Sequence, residues 1–328
     1  MINSISKCLN KIWSKRIIRN IILFFPMLFI VTLISFAVVY YAPGDAATLL
    51  LKENLQRNSV SEEDAQKYGE KIDINGSFSK LYGKWISGVL RGDFGRSYSK
   101  SEDVLSILDK RYKITLMIAF LSILIEIAVS FPLGLHAGIK PGGLSDKIVG
   151  VWAVITCAIP AFWIGLICLW FLAIKLHFKY AIGYVGLQSL IMPALIMGII
   201  SCGQLSCTIR RKSSEVSSSS FIEFAHAQGL SNKDILFCHM LKHILPSAIS
   251  VIVLDLSGFV GGAIIMEEIF NIPGFGNMLL DAIKLKDYPL ISSSLFFIGA
   301  MICFLNLLAD SIYPSIDARN KNELLGGI

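Results

Sequence analysis

The sequence predicts an all-α integral membrane protein, and three observations carry that prediction. The 328 residues are 54% hydrophobic and only 16% charged, with a mean hydropathy of +0.63, which is more apolar than a soluble domain. Several apolar runs reach the roughly 20 residues that a helix needs to cross a bilayer. Basic residues flank those runs, as the positive-inside rule expects, so the net charge of +6 indicates orientation in a membrane and not nucleic-acid binding.

Six transmembrane helices are predicted. The run 17–41 follows several basic residues and exceeds the roughly 7–15 residues of a signal-peptide core, so we expect a retained helix with its N-terminus in the cytoplasm. The further spans are predicted near 115–136, 148–174, 187–208, 249–267 and 290–312. An even number of spans places both termini of this cell-membrane protein in the cytoplasm. The expected parts are a cytoplasmic N-terminus (1–16), the first span (17–41), a large extracytoplasmic loop (42–112), a five-helix transmembrane domain (113–314) and a cytoplasmic tail (315–328).

The cytoplasmic connection 208–246, between the fourth and fifth spans, contains the signals of a short helix. Ser220 and Glu223 have the spacing of a capping box, in which each side chain bonds the backbone N–H of the other residue. Gly229 supplies the left-handed residue that ends such a helix. Ser231 and Asp234 repeat the capping pattern and predict that a second helix follows at once.

One face of this short helix is apolar and is expected to contact something. A helix of this length is marginal in water by itself, so its apolar face predicts a docking site for a cytoplasmic partner. The residues that fall on that face by i, i+3, i+4 spacing are Phe221, Phe224, Ala225 and Gln228.

Two acidic residues lie inside predicted spans. A carboxylate in the bilayer is costly and usually faces the bundle interior or water, so Glu126 and Asp255 are candidates for a translocation path. Gly258 and Gly262 follow Asp255 with the spacing that allows close approach of another helix. The structural alternative for both acids, an inter-helix hydrogen bond or a protonated carboxyl group, remains open. His239 and His243 are spaced i, i+4, but no metal site is predicted, because the H-E-x-x-H pattern is absent.

Several short motifs stand in a defined order along the chain. They are Ala42-Pro43-Gly44-Asp45, Gly92-Asp93-Phe94-Gly95-Arg96-Ser97, Arg210 with Glu215-Val216, Ala225-His226-Ala227-Gln228-Gly229-Leu230, Gly261-Gly262-Ala263 with Glu267 and Ile269-Phe270, Pro273-Gly274-Phe275-Gly276, Asp287-Tyr288-Pro289, and Asn306, Asp310 and Asp317-Ala318-Arg319. Together they resemble the membrane permease subunits of binding-protein-dependent ABC importers, in the dipeptide, oligopeptide and nickel group. Ala46, His226 and Gln228 depart from the usual residues of that group.

The resemblance implies a transport subunit and not an enzyme. The chain has no G-x-x-x-x-G-K-[ST] phosphate loop, so ATP is expected to bind a separate subunit, and no cofactor is expected. In the family, the short cytoplasmic helix is a coupling helix that docks in a cleft of that ATPase. The residues that the resemblance assigns to coupling are Glu215, Ser220, Phe221, Ile222, Glu223, Phe224, Ala225, Ala227 and Gly229.

The resemblance also implies partners and a class of cargo. We expect a second, distinct permease subunit, two ATP-binding subunits and an extracytoplasmic solute-binding protein. The candidates for an outer gate or for docking that protein are Asp93, Pro273, Gly274, Gly276 and Asp287. The alternatives are a scaffold role in the outer loops for the two aspartates and a simple re-entrant bend for the turn. Small peptides, nickel and metal chelates all remain open as cargo. The rival classes are a secondary transporter, which would show internal repeats, and a membrane enzyme, which would need a catalytic cluster at the span ends; neither feature is evident in the sequence.

Overall fold

A computed structural model describes residues 22–41 apart from 23, 35 and 39, together with 46–55, 61–71, 76–177 and 182–316. Within these ranges the regular structure is helical, and an isolated bridge joins Arg96 to Asp103. This confirms the all-α class. The residues 17–21 and 42–45, and most of the predicted tail 315–328, lie outside the described residues.

The helices differ greatly in length, and two of them continue into π-helical turns. Residues Phe171–Lys175 extend the helix Ala161–Trp170. Residues Ile235–Met240 join Asn232–Asp234 to Leu241–Ile269, so that Asn232–Ile269 is one continuous helix of 38 residues. In chain order the helices are α1 (Phe24–Val38), α2 (Ala46–Leu55), α3 (Glu62–Lys71), α4 (Phe78–Val89), α5 (Val104–Ile139), α6 (Leu144–Ala158), α7 (Ala161–Trp170), α8 (Leu187–Ser217), α9 (Ser220–Ala227), α10 (Asn232–Asp234), α11 (Leu241–Ile269), α12 (Phe275–Leu285) and α13 (Tyr288–Ile316).

Four helices of the described chain are long and apolar enough to cross a membrane: α5, α8, α13 and the helix Asn232–Ile269. The pair α6 and α7 reaches that length only together, which makes up to five spans. The helix α1 coincides with the first predicted span, but its described part is shorter than a bilayer needs. The count of six transmembrane helices therefore stays a prediction.

The third predicted span, 148–174, is not one continuous helix. It breaks between Ala158 and Ala161, and its two halves are bent by 93°. Pro160 causes the break, because its ring disfavours helical backbone in the preceding residue. Ile159 accordingly adopts an extended conformation, with φ −108° and ψ 120°. Pro160 thus marks a sharp bend, whereas Pro132 and Pro193 lie inside continuous helices.

The chain divides into two compact units. The first comprises 1–115 and 273–304, and the second comprises 116–272 and 305–328. In the first unit, α2, α3 and α4 are short helices within the predicted outer loop, and α5 begins at Val104, earlier than the predicted 115. The first turns of α5 are helical because they pack in a core with α12 and α13. The buried members of that core are Val104, Ile107, Leu108, Phe275, Met278, Leu279, Ala282, Leu290 and Ile291.

The second unit has close contacts between α8 and the helices α5 and α6. A Cβ atom on Gly198 would lie 2.5 Å from the carbonyl oxygen of Ser122, and one on Gly138 would lie 2.4 Å from the Cβ atom of Ser213. Gly258 was expected to make such a contact, but among the described residues of this chain no packing atom lies within 4 Å of its Cβ position. Glycines on α5 and α8, and not Gly258 on α11, therefore allow the closest helix packing.

Replacement of Gly138 by alanine is expected to destabilise the second unit. The new methyl group would also lie 2.5 Å from the backbone oxygen of Arg210, which cannot move away as a flexible side chain could. Overpacking of this kind costs about 1–3 kcal/mol. We expect less folded protein and a lower Tm in detergent, measured by size-exclusion chromatography and thermal unfolding.

Gly150→Ala is the matched control. Gly150 is also a helical glycine of the second unit, but nothing lies within 4 Å of its Cβ position. Alanine there should leave the Tm unchanged or raise it slightly, since glycine is the poorer helix former by about 1 kcal/mol. Equal Tm values for the two variants would contradict the packing role of Gly138.

Candidate functional site

The short helix α9 is present in the predicted connection, but its start differs from the prediction. The N-cap is Ser219, with φ −81° and ψ 147°, and its hydroxyl group does not cap the helix. Instead the Ser219 hydroxyl donates to the carbonyl oxygen of Val216 at the end of α8. Ser220 is the first helical residue, so the predicted capping box of Ser220 and Glu223 is wrong. The helix α8 extends nine residues beyond the predicted end of the fourth span at 208, to Ser217. The helix α9 therefore follows this extension and not the end of the predicted span.

The end of α9 agrees with the prediction. Gly229 has φ +79°, the left-handed conformation. The N–H of Gly229 donates to the carbonyl of His226 at 3.0 Å, and the N–H of Leu230 donates to that of Ala225 at 3.3 Å, which is the Schellman pattern. The hydroxyl of Ser231 then accepts from the N–H of Asp234 at 3.2 Å and caps the next helix.

The helix α9 has two apolar faces, and the chain itself covers one of them. Ile222 and Ala225 are 2% and 5% exposed. They belong to a buried cluster with side chains of α8 and of the helix Asn232–Ile269, namely Leu205, Ile209, Val216, Ile235, Met240, Ile244 and Ala248. The expectation that Ile222 anchors a partner is therefore wrong for this structure, and so is the expectation that Ala225 lies on the partner face.

The other apolar face of α9 is open. Phe221 is 39% exposed and Phe224 is 65% exposed. The ring of Phe221 lies 5.2 Å from the ring of His243, which holds it in place, whereas Phe224 projects freely from the helix. We call the exposed residues Phe221 and Phe224 the aromatic face. The remaining coupling candidates are also exposed, and they are Glu215, Ser220, Glu223 and Ala227.

A contact that sequence reasoning missed holds α8 to the first turn of α6. The guanidinium of Arg210 forms an ion pair with Asp146, and the other carboxylate oxygen of Asp146 accepts from the N–H of Gly142 at 2.8 Å. Arg210 had been noticed only as part of a motif. The position of Asp146 in the first turn of a helix was visible in the sequence, but its distant partner was not.

The path candidates meet in the second unit. A cavity of about 330 Å³ lies between α7, α8 and α11, and Asp255, Gly258 and Gly262 line it. Glu126 on α5 is fully buried, and its carboxyl group is close enough to that of Asp255 to interact with it. Glu126 on α5 and the candidates on α11 thus belong to one region.

The turn Pro273–Gly276 is held firmly within the first unit. Nη1 of Arg111 donates to the carbonyl oxygen of Pro273 at 2.8 Å. The N–H of Phe275 donates to the hydroxyl oxygen of Thr115 at 2.9 Å. Gly274 and Gly276 are buried, so only the partly exposed Pro273 offers a surface to another protein.

The two outer aspartates have different surroundings. Asp287 is fully buried, and its Oδ2 atom accepts from the hydroxyl of Ser97 at 2.6 Å and from the hydroxyl and N–H of Ser99 at 2.8 and 3.0 Å. Asp287 therefore fits the scaffold role and not docking, because these bonds enclose it. Asp93 is exposed and accepts from the N–H of Gly95 at 2.8 Å, so it stays a candidate.

Residues 130–322 match the family described as the binding-protein-dependent transport system inner membrane component. The chain belongs to this family. It is therefore a multi-pass permease of the cell membrane, part of an ABC importer that includes ATPase and binding-protein partners, and its role is transport and not catalysis. The resemblance inferred from the ordered motifs is confirmed.

Relatives of known name cover almost the whole permease. The nickel import system permease protein NikB of Staphylococcus aureus strain MRSA252 is 27% identical over 310 residues, covering 94% of this chain and 93% of its own. The NikB of strain bovine RF122 / ET3-1 is 27% identical over 298 residues, covering 91% and 89%. Among solved structures, an inward-facing MetNI methionine ABC transporter (CY5 native crystal form) has a TM-score of 0.49 and 17% identity, covering 65% of this chain and 97% of its own.

Proposed function

We propose that this permease forms one half of the translocation path of an ABC importer and couples ATP hydrolysis by a partner ATPase to solute uptake through α9. The observation that carries the proposal is the division of α9 into two faces. Ile222 and Ala225 are buried in the permease, whereas the aromatic face is exposed on a helix too short to be stable alone. Aromatic side chains that fill a pocket dominate small interfaces.

The buried face of α9 gives the coupling its mechanical basis. Ile222 and Ala225 pack against α8 on one side and against the helix Asn232–Ile269 on the other. Both of these are long, apolar helices of the kind that crosses a membrane. Packed cores deform little, so a displacement of α9 by the ATPase would move the two long helices with it.

The proposed assembly has a second, distinct permease subunit, two ATP-binding subunits and an extracytoplasmic solute-binding protein. The short helices α2 to α4, the exposed Asp93 and the partly exposed Pro273 would receive the binding protein on the outer side. Both termini would lie in the cytoplasm, because basic residues are concentrated in the connections assigned to that side.

For the cargo we propose nickel or a metal chelate, with di- or oligopeptides as the alternative. Two features support a cationic load: the named relatives are nickel import permeases, and two acidic residues lie in the region of the cavity. Binding assays on the partner solute-binding protein, with nickel salts, metal chelates and peptides, test this part. Exclusive binding of peptides would contradict the proposal for nickel.

The coupling role predicts a crosslink from the aromatic face to the ATPase. In a chain whose native cysteines are replaced by serine, Phe224→Cys is expected to form a crosslink with an ATP-hydrolysing subunit in intact cells, because position 224 is exposed. Immunoblotting and mass spectrometry identify the captured protein. Ile222→Cys is the matched control, since position 222 is buried and should capture nothing. If Phe224→Cys captured no ATPase, the coupling role of α9 would be wrong.

A further inference from the structure

Glu126 and Asp255 have no charge-balancing partner within the described part of the permease. Glu126 is 0% exposed, and both of its carboxyl oxygens lack a hydrogen-bond donor, as does the buried Oδ2 atom of Asp255. The charged group that interacts with each carboxyl is the other carboxyl, and no lysine, arginine or histidine of the described residues interacts with either of them. Most buried acids in proteins are paired or hydrogen-bonded, so this pair calls for an explanation.

Electrostatics restricts what such a pair can be. Two carboxylates that lie close together away from water repel each other, and desolvation adds to the cost of each charge. The pair is stable if the two groups share a proton. A cation that neutralises the two charges would also stabilise the pair. A shared proton needs no cavity, whereas a cation needs space and a route to the carboxyl groups.

The cavity provides that space. Its volume of about 330 Å³ is several times the roughly 30 Å³ that one water molecule occupies in the liquid. Apart from Asp255, the only polar side chain among the residues that line it is Ser201, and the rest of the lining is glycine, alanine or large apolar residues such as Met197 and Phe259. A carboxyl group is therefore the single feature of the wall that can recognise charge.

We propose that Asp255, supported by Glu126 behind it, binds a cationic group of the cargo in this cavity. The inference rests on the proposed import function and adds a recognition site to it. Asp255 contacts the cation directly, because it lines the cavity. Glu126 is a positioning residue that acts through Asp255 and adds a second negative charge. The same chemistry serves a divalent metal ion and the amino group of a peptide, and the experiment separates these two sources.

The test is equilibrium binding to the complete importer, purified and placed in lipid nanodiscs without its solute-binding protein. The probes are nickel-63 chloride and radiolabelled alanyl-alanine. The variants are Asp255→Asn, Glu126→Gln and Asp255→Glu, the last of which keeps the charge. Loss of one charged group of a binding pair weakens binding by about tenfold or more. We expect that loss in Asp255→Asn, a similar loss in Glu126→Gln, and substantial recovery in Asp255→Glu.

A control variant removes a carboxylate from the same helix outside the cavity. Glu268 is exposed on α11 and does not line the cavity, so Glu268→Gln should bind both probes as the unmodified importer does. Subtracting the nickel bound by Asp255→Asn from the nickel bound by the unmodified importer also corrects for binding at other sites, for example at His239 and His243. Size-exclusion profiles and the amount of each variant in the membrane exclude misfolding as the cause of a loss.

Each outcome decides the inference. A difference between the unmodified importer and Asp255→Asn for nickel alone identifies a metal site, a difference for the dipeptide alone identifies an amine site, and a difference for both identifies a general cation site. Identical binding of both probes by these two proteins overturns the inference. A proton shared by the two carboxyl groups is then the remaining explanation of the pair. In that case crosslinking from position 224 would still test the import function separately, since α9 does not contain either acid.

Discussion

Replacement of both Phe221 and Phe224 by alanine is expected to reduce ATP-driven uptake to the background of cells without the importer. A buried aromatic anchor in a fitted pocket is worth about 2 kcal/mol or more. Removal of two such anchors would weaken docking of the ATPase by roughly two to three orders of magnitude. Insertion and stability should change little, because both side chains are exposed in the permease itself. Uptake of labelled cargo, normalised to the amount of permease in the membrane, measures the effect.

Ile222→Ala is the informative control for this experiment. Ile222 is almost completely buried, and loss of a buried isoleucine side chain costs about 2–5 kcal/mol. This variant should therefore accumulate poorly, whereas the double phenylalanine variant should accumulate normally and fail to transport. Normal uptake by the double variant, at a normal amount of protein, would show that the aromatic face does not dock the ATPase.

Local sequence rules predicted the limits of α9 only in part. The left-handed conformation of Gly229 and the cap formed by Ser231 depend on neighbouring residues alone, so they could be read from the sequence. Periodicity could not decide which apolar face docks on a partner, because Ile222 and Phe224 both lie on apolar faces of one short helix. That choice depends on α8 and on the helix Asn232–Ile269, which are distant in sequence. The N-cap position of α9 was misplaced by one residue, because the hydroxyl of Ser219 bonds the end of α8 and does not cap α9.

Hydropathy predicted the spans better than their ends. Apolar runs determine which segments can enter a bilayer, and all of the described spans coincide with predicted ones. The early start of α5 at Val104 depends on packing against α12 and α13, residues far along the chain. The bend of 93° at Pro160 was not predicted, because a single proline in a sequence does not reveal the angle between two helix segments.

Charge carried more information than glycine spacing about the candidate path. The cost of acids in the bilayer singled out Glu126 and Asp255, and the structure brings these two together beside a cavity. The spacing of Gly258 and Gly262 fitted a close helix contact, yet Gly258 faces open space. The sequence could not decide between docking and a scaffold role for Asp287, because its donors Ser97 and Ser99 lie about 190 positions earlier and no local pattern reports bonds of that range.

Gly229→Val is expected to leave the permease inserted but to lower uptake by about tenfold. The position has φ +79°, where an ordinary side chain costs roughly 1–2 kcal/mol and a branched one is especially unfavourable. Nothing lies within 4 Å of the Cβ position, so the change would strain the backbone without a clash. Relief of that strain would alter the turn between α9 and the helix that follows and so misdirect the aromatic face. Uptake per inserted permease and crosslinking from Phe224→Cys in the same background measure the effect.

Gly229→Asn separates conformation from the mere presence of a side chain. Asparagine tolerates the left-handed region and fits the same open space, so this variant should transport almost normally, and Gly229→Ala should fall between the two. The order Asn, Ala, Val would follow the cost of the left-handed conformation and not the volume of the side chain, since alanine is the smallest of the three. Normal uptake by Gly229→Val would mean that the direction of α9 does not matter for coupling. The packing of Ile222 and Ala225 against the two long helices would then have to transmit motion without a fixed turn.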